Sequence, residues 1–113
     1  MKKIIDVVRK ALEEIKGKDI AILDVTNVTD VMDTMIVASG STNRQVKALA
    51  NTVIEDAKKA GFQPIGVEGM EDGEWVLVDL GDIVIHIMQP AIREFYELEK
   101  LWSVRPNDPV ANN

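Results

Sequence analysis

The chain has 113 residues, enough for one domain, and its 46% hydrophobic and 28% charged residues are ordinary for a soluble globular protein. The absence of cysteine and the single histidine exclude disulfides and leave structural zinc almost without ligands, and no apolar run approaches the roughly 20 residues of a membrane span. A net charge of −6 disfavours a nucleic-acid partner, and we expect a cytoplasmic protein without metal or cofactor.

The first third of the chain predicts a helix followed by two strands. Apolar residues at helical spacing predict a helix over residues 1–16, which Gly17 ends. Short aliphatic runs then predict strands over residues 19–25 and 34–39, joined by a polar connection.

A second helix has the clearest local signal. Gly40 breaks the preceding strand, and Thr42 with Gln45 fits the capping box that begins a helix. Lys58 precedes Gly61, which we expect to close the helix. One apolar face is predicted for it, made of Val46, Leu49, Ala50, Val53 and Ala57.

The remainder predicts three strands and a last helix. The strands are predicted over residues 64–68, 74–80 and 83–88. Gly81-Asp82 is a two-residue hairpin turn of favoured type, and Pro90 suits the first turn of a helix that reaches Trp102. We expect residues 103–113 to be a disordered tail, so that residues 1–102 form the domain.

This order of elements predicts the fold class. A tight hairpin and a helical crossover both connect strands, which excludes a purely parallel sheet. We therefore predict a mixed α/β domain, with a sheet of about five strands packed with helices.

The predicted hairpin sorts its side chains into two faces. The face with Val76, Val78, Leu80, Ile83, Ile85 and Ile87 is aliphatic throughout, as expected of a core face. The opposite face mixes large apolar side chains with an acid and an imidazole, a composition typical of a protein contact patch. In the alternative interpretation, another helix covers this face and its polar groups are satisfied locally. The residues predicted on it are Trp75, Leu77, Asp79, Val84, His86 and Met88.

The negative charge is concentrated in one stretch. No Lys or Arg lies between Ala60 and Ile92, whereas six acids do, and the rest of the chain carries thirteen basic and thirteen acidic residues. Such a stretch would attract a basic protein surface; the alternative is a solvated loop that aids solubility. Glu71 and Asp72, at a predicted turn, are the acids that we expect to act in partner binding.

Enzyme chemistry is not indicated. His86 is the single imidazole and has no partnered nucleophile in the pattern. Gly40-Ser41 could offer backbone N–H groups to a phosphate, but the segment lacks the further glycines of a dinucleotide fingerprint and the Gly-Lys-Ser/Thr of a P-loop. No strand carries two acids at spacing two, the arrangement that would hold Mg²⁺.

Several long stretches of the sequence resemble the ribosome-silencing factors, also called the Iojap-like family. These are DIAILDV at 19–25, VASGSTNRQVKALA at 37–50, GVEGMEDGEWVLVDLGDIVIHIMQP at 66–90 and REFYELEKLW at 93–102. They cover most of the chain beyond the first helix, and the third is highly specific.

The resemblance implies a nucleotidyltransferase-like fold without its enzyme chemistry, and a partner. That partner is ribosomal protein fourteen on the intersubunit face of the large ribosomal subunit, where binding obstructs association with the small subunit and represses translation. Homodimers are also implied as possible. The alternative is a degenerate nucleotidyltransferase-like protein that binds a nucleotide at Gly40-Ser41.

Overall fold

The helices and strands follow the predicted order in this computed structural model, which describes residues 2–26 and 32–96. The helices are α1 (Lys2–Glu14), α2 (Asn43–Lys59) and α3 (Pro90–Tyr96). The strands are β1 (Lys18–Asp24), β2 (Thr34–Ser39), β3 (Gly66–Glu68), β4 (Trp75–Asp79) and β5 (Ile83–Met88). The predicted end of the last helix at Trp102 and the predicted disordered tail, residues 103–113, lie outside the described residues.

The strands form one mixed sheet in the order β1-β2-β5-β4-β3. β2 and β5 run parallel at its centre, and the other neighbouring strands are antiparallel. The chain reaches β5 from β2 through α2 and the β3–β4 pair, because parallel neighbours need a long crossover. The prediction of a mixed α/β fold with about five strands is confirmed.

α1 ends in a reverse turn that differs slightly from the prediction. The helix stops at Glu14, and Lys16, not Gly17, takes the left-handed conformation, with φ of 61°. Gly17 follows and donates its N–H to the carbonyl of Leu12 at 2.7 Å. A Cβ at Gly17 would lie 2.9 Å from that carbonyl oxygen, so the close approach explains the glycine.

The predicted N-cap at Thr42 forms, with the return bond of Gln45 shifted by one residue to Ser41, and Gln45 also joins the two long helices. Thr42 Oγ1 accepts from the backbone N–H of Gln45 at 3.1 Å, while Gln45 Oε1 accepts from the N–H of Ser41 at 2.6 Å. The Gln45 amide nitrogen donates to the carbonyls of Ile15 and Lys16, at 3.2 and 3.1 Å. One side chain therefore fixes the start of α2 against the end of α1.

The main core lies between the sheet and both long helices. α1 and α2 pack side by side on one face of the sheet, each through its apolar stripe. The prediction of a core face on the hairpin is confirmed, since its side chains are buried except Leu80, which is half-buried. Those buried on β4 and β5 are Val76, Val78, Ile83, Ile85 and Ile87.

Candidate functional site

The sheet face opposite α1 and α2 is the candidate site, and we call it the open face. β4 and β5 place Trp75 beside Met88, Leu77 beside His86, and Asp79 beside Val84. The pairing of Glu68 with Leu77 adds a side chain from β3. This face therefore carries all six residues that the sequence assigned to a contact patch, in the predicted register.

One end of the open face is covered, and Met88 is completely buried there. A second apolar cluster, of Val25, Met32, Met35, Val37 and Met88, forms there, with Leu23, Trp75, Val84 and Ile92 packed at its border. α3 begins two residues after β5, so Ile92 folds back onto the sheet, and the Arg93 guanidinium donates to Ser39 Oγ at 2.8 Å. The prediction that Met88 is exposed is therefore wrong: its exposure is 0%.

His86 is also buried, apart from 8% of its surface. The indole N–H of Trp75 donates to His86 Nδ1 at 3.0 Å, and the two ring centroids lie 5.9 Å apart. Burial lowers the pKa of His86 from 6.5 to about 4, so that the imidazole is neutral near pH 7. The prediction that His86 is exposed is wrong, because Trp75 packs against the imidazole on a face that the hairpin alone would leave open.

Asp79 has a local structural partner. Its Oδ1 accepts from the backbone N–H of Gly81 at 2.8 Å and so fixes the hairpin turn, where Gly81 has φ of 97°. The side chain remains half-buried at the edge of the open face. A contribution of Asp79 to charge complementarity stays a prediction.

Trp75 and Leu77 are half-exposed on the open face, as Asp79 and Val84 are. Together with Glu68 and Gly69 they line a shallow depression of about 320 Å³. A Cβ at Gly69 would overlap the carbonyl oxygen of Trp75, so the acidic turn that follows Gly69 borders this depression closely. This end of the face offers a partner both an apolar surface and carboxylates.

The acidic turn, residues 69–73, carries exposed carboxylates beside the open face. Glu71 and Asp72 are both exposed, as predicted from their place in a turn. Gly73 closes the turn against the start of α2, where a Cβ would lie 2.8 Å from the Asn43 carbonyl oxygen and 2.9 Å from the Lys47 side chain. The turn is thus held in place by packing, and its acids remain at the surface.

Packing and a local hydrogen bond account for the glycine at position 40 and for the N–H of Ser41, without a bound phosphate. A Cβ at Gly40 would lie 2.9 Å from a methyl carbon of Val46, so the close packing of α2 requires the glycine. The N–H of Ser41 is already bonded to Gln45. Within residues 2–26 and 32–96, no group of three His, Asp or Glu side chains is arranged to hold a metal ion.

Sequence reasoning missed the parts of this site that depend on distant contacts. Glu68 was recognised as an acid, but its place beside Leu77 depends on the register of β3 with β4. Leu23 borders the second cluster because β1 pairs with β2, which no local pattern specifies. The contact of Arg93 with Ser39 likewise joins residues 54 apart in the chain.

These features define a small α/β protein with a candidate protein-binding face. None of its described helices has the length and hydropathy to cross a membrane. The family model described as "Ribosomal silencing factor during starvation" matches residues 1–113. The chain belongs to this family, as the resemblance predicted.

Individual relatives agree with this assignment. The ribosomal silencing factor of Chromobacterium violaceum is 57% identical over 93 residues, which are 82% of this chain and 76% of that protein. The Bacillus subtilis silencing factor is 35% identical over 105 residues, covering 93% and 89%. A mouse protein named for mitochondrial assembly of the ribosomal large subunit is 34% identical, covering 92% of this chain and 47% of its own.

Two crystal structures share the fold. A Chromobacterium violaceum protein superposes with a TM-score of 0.90 at 50% identity, over 96% of this chain and 92% of the other. A Bacillus halodurans protein gives 0.82 at 29% identity, over 90% and 95%. The single mixed α/β domain is therefore shared with these proteins, while the likeness to nucleotidyltransferases stays a prediction.

Proposed function

We propose that the open face binds the large ribosomal subunit through its ribosomal protein fourteen and sterically prevents the small subunit from joining. The protein would thereby repress translation in the cytoplasm, without catalysis or cofactor. Family membership supports the silencing role, and the name of the mouse relative supports a large-subunit partner. The observation that carries the choice of surface is the half-exposed pair Trp75 and Leu77 bordered by acids.

The chemistry of this surface suits a basic protein partner. A few well-packed side chains at the centre of an interface, Trp and Tyr prominent among them, supply most of its binding free energy. Carboxylates at the border speed the encounter with a basic surface but repel bare phosphate backbones. A protein component of the ribosome therefore fits the open face better than ribosomal RNA does.

Mixing purified subunits tests the proposed mechanism. Protein added to free subunits should reduce the formation of joined ribosomes in the absence of any nucleotide, measured by sedimentation. Joined ribosomes should resist the protein more than free subunits do, because its site is then covered. A requirement for ATP or GTP hydrolysis would contradict the steric mechanism and favour the nucleotide-binding alternative.

Charge reversal tests the acidic turn. Lys at both Glu71 and Asp72 should lower the association rate with large subunits, and the loss should shrink as salt is raised. In the matched control, Glu13 and Glu14 are changed to Lys; these are two exposed acids at the end of α1, on the other side of the sheet. Equal association rates for both double variants would assign the acidic turn to solubility alone.

A further inference from the structure

The geometry of the Trp75–His86 pair determines which nitrogen of His86 carries the proton. An indole N–H donates and never accepts, so the Nδ1 atom that faces it must be unprotonated. Neutral His86 therefore holds its proton on Nε2. A proton on Nδ1 would set two donors against each other at 3.0 Å, so the Trp75 contact opposes both the other tautomer and the imidazolium.

The Nε2 atom of His86 retains access to the surface of the open face. Within the described residues, no buried side-chain nitrogen or oxygen atom lacks a hydrogen-bond partner. The side-chain hydrogen bond that the structure shows for His86 engages Nδ1. The remaining exposure of the ring therefore includes some of the surface of Nε2, on the strand position beside Leu77.

We propose that His86 is a specificity-determining residue of the open face and donates its Nε2–H to an uncharged oxygen of the bound protein partner. The acceptor is a backbone carbonyl or a hydroxyl, since Asp79 on β4 and Glu68 on β3, the next strand along the sheet, would repel a carboxylate. Trp75 is the positioning residue: it holds the tautomer, and it is itself part of the contact surface. This proposal rests on the proposed function, because it concerns the same face and partner.

The tautomer is measured in the free protein, independently of the ribosome. Nitrogen-15 NMR of labelled histidine should show Nδ1 unprotonated and Nε2 protonated at pH 7, with a single imidazole to assign. Trp75→Phe removes the indole N–H and should allow a mixture of tautomers. A protonated Nδ1 at pH 7 in the unmodified protein would overturn the proposal.

Binding to isolated large subunits supplies the second readout. His86→Phe keeps a ring of similar size but has no donor, and should weaken binding about tenfold. His86→Gln can accept from Trp75 and still donate an N–H, and should recover most of the affinity. Thermal unfolding of both variants identifies the temperature at which each is folded for the assay.

The outcomes separate this proposal from the proposed function. If the unmodified protein binds large subunits and His86→Phe binds equally well, the hydrogen bond is refuted while the proposed function stands. Equal losses in His86→Phe and His86→Gln would mean that an N–H donor at this position does not restore binding, and would also refute the hydrogen bond. If the unmodified protein does not bind, the proposed function fails, and the proposal fails with it, whatever tautomer NMR shows.

Discussion

Leu77 and Val78 are adjacent residues on β4 that point to opposite faces of the sheet, and they allow stability and binding to be separated. Val78 is fully buried under the long helices, whereas Leu77 is half-buried on the open face. We expect Val78→Ala to destabilise the protein without weakening its contact with large subunits. Leu77→Ala should weaken that contact and cost less stability than Val78→Ala does.

The magnitude for Val78→Ala follows from its burial. Loss of two buried methyl groups costs about 0.8 kcal/mol each, and the cavity left behind raises the total to about 2–3 kcal/mol. An unfolding entropy of about 2.1 cal/mol/K per residue gives roughly 0.24 kcal/mol/K for 113 residues. The Tm should therefore fall by about 8–12 °C.

For Leu77→Ala, the larger free-energy cost falls on binding and the smaller one on stability. Because the side chain is half-exposed in the free protein, its truncation should cost about 1 kcal/mol of stability, or roughly 4 °C in Tm. At the centre of an interface the same truncation costs about 2 kcal/mol of binding free energy, which is roughly thirtyfold in Kd.

Calorimetric unfolding and cosedimentation with large subunits measure both quantities, at a temperature where each variant is folded. Weakened binding for Val78→Ala with unchanged binding for Leu77→Ala would mean that the partner uses the helical side of the sheet. Unchanged stability for Val78→Ala would refute the assignment of the core face.

Three further predictions concern the frame of the site. Gly69→Ala should lower the Tm by about 10 °C or more, because the φ of Gly69 is 87° and the new methyl group meets the Trp75 carbonyl oxygen. The matched control is Gly61→Ala, where φ is 91° but nothing lies within 4 Å of the new methyl group. It should lower the Tm by only about 4 °C in the same thermal unfolding experiments. Gln45→Ala should cost about 1–2 kcal/mol in denaturant unfolding and speed amide exchange at the end of α1. The pKa of His86 is lowered from 6.5 to about 4, so below pH 6.5 the unfolded chain binds a proton that the folded protein does not. Stability should be constant above that pH and fall by about 1.4 kcal/mol per pH unit towards pH 4, a slope that His86→Phe should remove.

Local patterns were sufficient to predict the elements and the two hairpin faces. The turn at Gly81 sets the register of β4 against β5, and strand alternation then divides their side chains without further information. The capping residues Thr42 and Gln45 likewise mark the start of α2, because the hydrogen bonds they make are local. Family membership followed from long specific stretches and is confirmed.

Burial on the open face could not be predicted from the same patterns. Met88 and His86 belong to a face whose composition is mixed, and their exposure depends on whether another element covers them. Met88 is covered in a cluster against which Ile92 of α3 packs, and which includes Met35 and Val37 of β2, more than fifty positions earlier in the chain. Neither the hairpin register nor hydrophobic spacing specifies that contact.

The position of Trp75 shows why the face can be both stable and available for binding. Its ring packs at the border of the second cluster and donates to His86, while its other side lines the depression with Leu77. Trp75→Ala should therefore weaken the fold as well as the contact with a partner, since truncation removes packing as well as contact surface. Leu77 lies further from the second cluster and has no such structural bond among the described residues. A loss of binding in a Leu77 variant can accordingly be assigned to the interface. A loss of binding in a Trp75 variant combines lost contacts with the partner and lost packing within the open face.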